Sequence, residues 1–307
     1  MAARFLRLLL IAPVICLGAS LSGCSSLFFF PDRSQYLTPD RLNLDYRDLY
    51  LESVDGEKLH AWWLPAQGEA YGTVYFLHGN AGNISSHVFA VDWLPAEGYN
   101  VLLLDYRGFG KSTGSPDLEG ALTDAETGLR WLAAHHGDQP IVMIGQSLGG
   151  GLAMPLAQQW GERDEQPALA GLVLDSTFTG FRRIAREKLS DLWLTWPLQI
   201  PLSWTIPDEY EGIDRIATIS PVPLLIFHSV RDGVVPYHHG TELFTAASEP
   251  KQFQQTDLPH GSTFVLPAYR ADLLDFLARV TGTSPTGASA SNHHPKKNRL
   301  PLEADGF

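Results

Sequence analysis

From residue 73 onward the chain alternates two hydrophobic patterns. Thr73-Val74-Tyr75-Phe76-Leu77, Val101-Leu102-Leu103-Leu104, Ile141-Val142-Met143-Ile144, Leu172-Val173-Leu174 and Pro223-Leu224-Leu225-Ile226-Phe227 are short runs without polar alternation. Runs of this kind read as strands buried on both faces. Between them lie stretches with helical spacing: residues 85–97 closed by Gly98, residues 118–135, 150–160, 237–247 and 267–280. The second is the clearest, with Leu118, Leu122, Ala125, Leu129 and Leu132 on one face. A last strand is expected over residues 251–258. Upstream, residues 48–54 and 58–64 flank Asp55-Gly56 as a β-hairpin would, with Trp62 and Trp63 facing opposite sides. Strands alternating with helices predict an α/β fold, a mostly parallel sheet with helices on both faces. A ligand site then belongs at the carboxyl ends of the strands. Residues 177–215 break the rhythm with Trp193, Trp196 and Trp204 among Pro197, Pro201 and Pro207. One or two short helices are expected there, either as a lid over the site or as outer packing.

The run at 141–144 enters Gly145-Gln146-Ser147-Leu148-Gly149 and leaves it as a helix. Strand, sharp turn and helix with serine at the apex match the G-x-S-x-G nucleophile elbow. The glycines let the turn close, and the helix N-terminus presents N–H groups to developing negative charge. A serine at its free pKa is a poor nucleophile, so it needs a histidine base and an orienting acid. In this topology both should follow strands, in the order Ser, Asp/Glu, His. Asp232, after the strand ending at His228, and His260, after the last strand, meet that demand. Asp175, at the end of the preceding strand, is the rival acid. The oxyanion donors are expected to be the backbone N–H groups of Leu148 and Asn80, with Ala81 as the near alternative. His78 is expected to hold its glycine-rich loop by hydrogen bonds, and Asp105 and Arg107 to shape a neighbouring loop.

The N-terminus adds location. Arg4 and Arg7 precede an apolar stretch, residues 8–17, and then Leu21-Ser22-Gly23-Cys24. The apolar stretch is too short for a comfortable membrane span and has the flanks of a signal peptide. Leu21-Ser22-Gly23-Cys24 resembles a bacterial lipobox, which implies cleavage before Cys24 and lipidation of its thiol. More than one acyl chain gives stable anchoring. The expected organisation is a signal peptide at 1–23, an arm at 24–40, a hydrolase domain at 41–280 and a disordered tail at 281–307. Localisation would be the cell envelope, facing the periplasm, with Ser25 favouring the outer membrane. In the arm, Phe28-Phe29-Phe30 could lie in the membrane interface or dock onto the domain. Cleavage would leave 20 basic against 34 acidic residues, a net charge of −14, which argues against nucleic acid as a partner. With Cys16 in the signal peptide, the mature chain holds one cysteine and no internal disulfide.

FLHGNAGN (76–83), DYRGFGKSTGSP (105–116), GQSLGG (145–150), the aspartate of RDGVVP (231–236) and the histidine of PHG (259–261) together resemble an α/β-hydrolase. They are most similar to the group of Bem46-like and ABHD13/ABHD17-like serine hydrolases. The resemblance runs from about Tyr36 to Val280 and implies a central sheet of about eight strands with the site at its carboxyl edge. It also implies acyl transfer without metal or cofactor, on an ester or thioester, with a small-molecule or lipid-like acyl substrate. Two alternatives stay open. An aminopeptidase or amidase on the same residues would want a carboxylate near the lid, such as Asp208, Glu209 or Glu211. An envelope binding lipoprotein would have kept the fold and lost turnover.

Overall fold

Eight strands form one sheet: β1 (Arg47–Glu52), β2 (Lys58–Leu64), β3 (Gly72–Leu77), β4 (Tyr99–Leu104), β5 (Ile141–Gln146), β6 (Leu169–Asp175), β7 (Leu224–Ser229) and β8 (Lys251–Thr256). The structure is a computed structural model and describes residues 29–190, 195, 199–204 and 206–283. The expected signal peptide, Cys24 and nearly all of the expected tail lie outside the described residues. The strand order is β1-β2-β4-β3-β5-β6-β7-β8. β1 and β2 pair antiparallel, as do β2 and β4, and every pairing from β4 to β8 is parallel. The order reverses at β3, which lies between β4 and β5, so the crevice beside its carboxyl end is the natural ligand position.

The period of two within each strand builds two cores. Val74, Phe76, Val101, Leu103, Val142 and Ile144 face one side, while Tyr75, Leu77, Leu102, Leu104 and Met143 face the other. Trp62 and Trp63 fall in opposite cores, as the hairpin alternation requires. The helices are α1 (Ile84–His87), α2 (Leu118–His136), α3 (Leu148–Glu162), α4 (Phe181–Ser190), α5 (Gln199–Ser203), α6 (Gly212–Arg215), α7 (Tyr237–Ala246) and α8 (Pro267–Thr281). Of the predicted stripe α2 buries Leu118, Ala125, Leu129 and Leu132, while Leu122 is only partly buried and Ala121 beside it is fully so; Asp117 caps the helix by accepting from Gly120 N–H at 2.8 Å. Among the described residues no helix is long and apolar enough to cross a membrane.

Two sequence expectations need correction. The helix over 85–97 is instead a single turn, α1, followed by two 3-10 turns at Val88–Ala90 and Leu94–Glu97. Pro95 is the cause: it has no N–H to give, and its ring would strike the carbonyl of Val91, where the backbone leaves the helical region. The last strand also ends earlier, at Thr256 rather than 258.

The elbow is packed backbone against backbone. A Cβ on Gly149 would lie 2.0 Å from the Leu77 carbonyl oxygen, and one on Gly145 would lie 2.6 Å from the Gly149 oxygen. Both obstacles are backbone, which cannot swing aside. Gly149→Ala should therefore lose about 3 kcal/mol or more of stability. Urea unfolding checks this; a midpoint unchanged from wild type would contradict the packing.

Candidate active site

Ser147 follows β5 with φ 53° and ψ −114°, an uncommon conformation for a residue with a Cβ. Its peptide groups are pinned on both sides. Ser147 N–H donates to the Asp175 carbonyl at 2.9 Å, and its own carbonyl accepts from Thr177 Oγ1 at 2.7 Å and from Gly150 N–H at 3.0 Å. No side chain caps α3, which starts at Leu148, so its first N–H groups point out beside the serine. Gly79 lies against the elbow: a Cβ there would come 3.5 Å from the Ser147 Cβ. The His78–Gly82 loop and the elbow thus converge at the switch point.

Asp232 and His260, 28 residues apart, meet directly: His260 Nδ1 donates to Asp232 Oδ2 at 2.7 Å. Asp232 Oδ1 accepts the N–H groups of Val234 and Val235, both at 2.8 Å, which folds the loop back on its own aspartate. The carboxylate is fully buried, while the imidazole keeps some contact with solvent. Burial pushes the Asp232 carboxyl up, but the hydrogen bond and charge of His260, with the two backbone donors, hold it below its ordinary value. A proton on Nδ1 leaves the Nε2 lone pair of a neutral imidazole available as a base. The histidine loop is tied to the elbow by Gln146 Nε2, which donates to the Gly261 carbonyl at 3.3 Å.

Ser147, Leu148 and Asn80 line one cavity of about 490 Å³ together with Val234 and Val235 of the acid loop. The remaining wall is mostly apolar and comes from Phe178, Phe181, Ile184, Ala185 and Leu189 at the start of the inserted segment, and from Phe29, Phe30 and Leu118. Among the described residues none lining it is acidic, and Lys188 is its one charged side chain. The described part of the insertion thus serves both as cover and as outer packing: its first half walls the cavity, while Gly212 and Arg215 pack against Met154 and Gln158 of α3. Of the arm, Phe29 is buried edge-to-face on Phe109, and Phe30 N–H donates to Asn80 Oδ1 at 2.9 Å. The arm docks, and it walls the pocket.

Other candidates have different work. Asp175, the rival acid, accepts from Gln146 Nε2 at 2.9 Å, from Thr263 Oγ1 at 2.6 Å and from Ser176 Oγ at 3.2 Å. It is a bracket between elbow and histidine loop. His78 is fully buried against Tyr106 and Phe109, with Nδ1 at 2.8 Å from the Gly79 carbonyl. Burial, with His87 nearby, lowers its pKa to about 3, so it stays neutral and structural. Asp105 accepts Ile84 N–H at 2.8 Å, and Arg107 pairs with Asp124 and Asp55 at 2.7 Å each. Glu187, His238 and His239 place ligand atoms within 4.8 Å of one another. However, Thr179 N–H donates to His239 Nδ1 at 3.2 Å. That puts the His239 proton on Nε2, which donates to Glu187 at 3.1 Å and keeps no lone pair there for a metal.

Sequence reasoning missed Gln146, Thr263 and the place of the arm in the pocket. The first two carried a faint signal: each is polar beside a motif, one inside G-x-S-x-G and one three residues past His260.

An eight-stranded, mostly parallel sheet, crossed at its carboxyl edge by a strained serine turn and an Asp–His pair, defines an α/β-hydrolase. The chain belongs to that family. It is 33% identical to the Arabidopsis thaliana alpha/beta hydrolase domain-containing protein WAV2, over 75% of this chain and 76% of that one. The lysophosphatidylserine lipase ABHD12 of Xenopus tropicalis is 29% identical, over 83% of this chain and 75% of its own. The serine aminopeptidase, S33, family matches residues 68–213. An esterase from Pyrococcus furiosus superposes with a TM-score of 0.67 at 25% identity, covering 83% of this chain and 98% of that one. The protein is a hydrolase with esterase- and lipase-like relatives.

The Asp232–His260 bond sets a test. Asp232→Asn keeps the shape but presents an amide that cannot hold the Nδ1–H tautomer as a carboxylate does. kcat on a chromogenic ester should fall by about 10⁴-fold, while thermal unfolding shows the protein folded. A loss below tenfold would contradict an orienting role.

Proposed function

We propose that the protein is a serine hydrolase that cleaves carboxylic esters or thioesters through an acyl-enzyme. The observation that carries this is the Asp232–His260 pair, bracketed through Gln146 onto an elbow serine that opens into an apolar cavity. Ser147 Oγ attacks the acyl carbonyl as His260 Nε2 takes its proton. The tetrahedral oxyanion is met by the N–H groups of Leu148 and Asn80. Collapse breaks the bond to the leaving alcohol or thiol, which receives the proton from His260. Water, deprotonated by the same imidazole, then releases the carboxylic acid and restores Ser147. Asp232 holds the imidazole tautomer and offsets its transient positive charge. The lipase name of the Xenopus relative is in keeping with a mostly apolar pocket.

The aminopeptidase alternative has support in the S33 match, but its amine anchor is wanting. Arg182 binds two of the three candidates, pairing with Asp208 at 2.7 Å and donating its backbone N–H to Glu211 at 2.7 Å. Neither these nor Glu209 lines the cavity. Membership of the Bem46-like and ABHD13/ABHD17-like group belongs to the same proposal. So does a lipid on Cys24 that holds the enzyme in the cell envelope, on the periplasmic side and, with Ser25 next, in the outer membrane.

A series of p-nitrophenyl esters of growing chain length, run beside aminoacyl p-nitroanilides, tests the substrate class. With about 0.8 kcal/mol per buried methylene, kcat/KM should rise up to roughly fourfold per added carbon until the cavity is filled. Anilide turnover should remain far below it. Anilides cleaved faster than every ester would overturn the proposal.

A further inference from the structure

Six of the eleven exposed large apolar side chains among the described residues lie on segments that line the cavity or follow its loops. Phe30, Ile200, Trp204, Val234, Val265 and Leu266 are between 40% and 68% exposed. They lie in the arm, the inserted segment, the acid loop and the turn after the histidine loop, all at the carboxyl edge of the sheet. Phe30 and Val234 are also walls of the cavity. Trp204 stands two residues from Ile206, another wall residue, a span of at most about 7 Å. Trp204 N–H donates to the Ile200 carbonyl at 3.3 Å, which sets the two side chains on one helical face. Single exposed apolar residues are ordinary on a soluble surface; a set collected around the mouth of an apolar pocket marks an interaction site.

The arm says what covers it. Phe29 is locked against Phe109, Phe30 is tied to Asn80, Asp32 N–H donates to the Gly82 carbonyl at 3.2 Å, and Gly110 N–H donates to the Asp32 carbonyl at 2.9 Å. The chain therefore arrives from its N-terminus at the pocket rim, in a fixed position. Cys24 stands five residues before Phe29, and five extended residues reach at most about 18 Å. A lipid on Cys24 would hold the mouth within that distance of a bilayer. Charge contributes little: α4 carries four basic residues, but Arg182 and Arg183 are paired with Asp208 and Glu242, and the chain as a whole is at −12.

We propose that this rim docks into the boundary between headgroups and acyl chains of a lipid bilayer, so that the substrate is a membrane-resident acyl ester whose chain passes from the bilayer into the cavity. The substrate class rests on the serine hydrolase proposal; the docking rests instead on the exposed rim and on the lipid proposed for Cys24.

The test uses the full chain, purified from membranes and reconstituted in phosphatidylcholine vesicles containing brominated lipid. Bromine quenches only tryptophans that reach the acyl region, so the emission lost should be the part that Trp204→Phe removes. The double variant Ile200→Asp, Val265→Asp lies outside the cavity wall. It should lower hydrolysis of a long-chain monoacylglycerol held in the vesicles by roughly tenfold or more, while turnover of a water-soluble butyrate ester stays within about twofold. That second rate also shows the variant is folded. An unquenched Trp204, or a double variant that lowers both substrates alike or neither, would overturn the docking. Quenching of Trp204 in a protein that turns over no ester would support the docking and remove the hydrolase proposal instead.

Discussion

A single backbone conformation governs the carboxyl edge of this protein. Ser147 sits at φ 53° and ψ −114°, a geometry that costs on the order of 1–3 kcal/mol for a residue with a side chain. It persists because the surroundings over-determine it. Gly145 and Gly149 let β5 and α3 approach until no Cβ would fit, and the N–H and C=O of Ser147 are both held, by Asp175 and by Thr177. The strain has a use. It lifts the hydroxyl off the end of the sheet and leaves the first N–H groups of α3 beside it.

The neighbouring loops are fastened to that point rather than merely near it. Gln146 reaches the Gly261 carbonyl and the Asp175 carboxylate, and Asp175 in turn binds Thr263. The histidine loop is thus bolted to the elbow just after His260, at Gly261 and Thr263, and Asp232 closes the arrangement from β7. On the opposite side the N-terminal arm is tied to the His78–Gly82 loop through Asn80 and Gly82. The same arm that would lead to a lipid anchor is a wall of the pocket.

Much of this was legible in the sequence, because it depends on local pattern. Buried parallel strands announce themselves as unbroken apolar runs, and the strand–turn–helix around Ser147 fixes where a base and an acid must follow. Chain order and strand placement point to Asp232 and His260, with Asp175 as a rival acid, and the structure joins the first two. What escaped notice depends on which polar groups meet across the fold. Asp175 ends a strand as an acid would, and only its three donors reveal a bracket. Pro95 stood in plain view, but its effect on a periodic segment needed the position of Val91. Three adjacent phenylalanines suggest burial without saying against what, and Phe29 and Phe30 divide the task, one buried and one at the rim.

The central claim is that Ser147 is a nucleophile activated by His260. The most direct measurement is intact-protein and peptide mass spectrometry after reaction with a fluorophosphonate. The account predicts one adduct, on the peptide that carries Ser147, absent in Ser147→Ala and strongly slowed in His260→Ala. A wild-type protein that takes up no adduct, or a Ser147→Ala variant labelled as fast as the wild type, would contradict it.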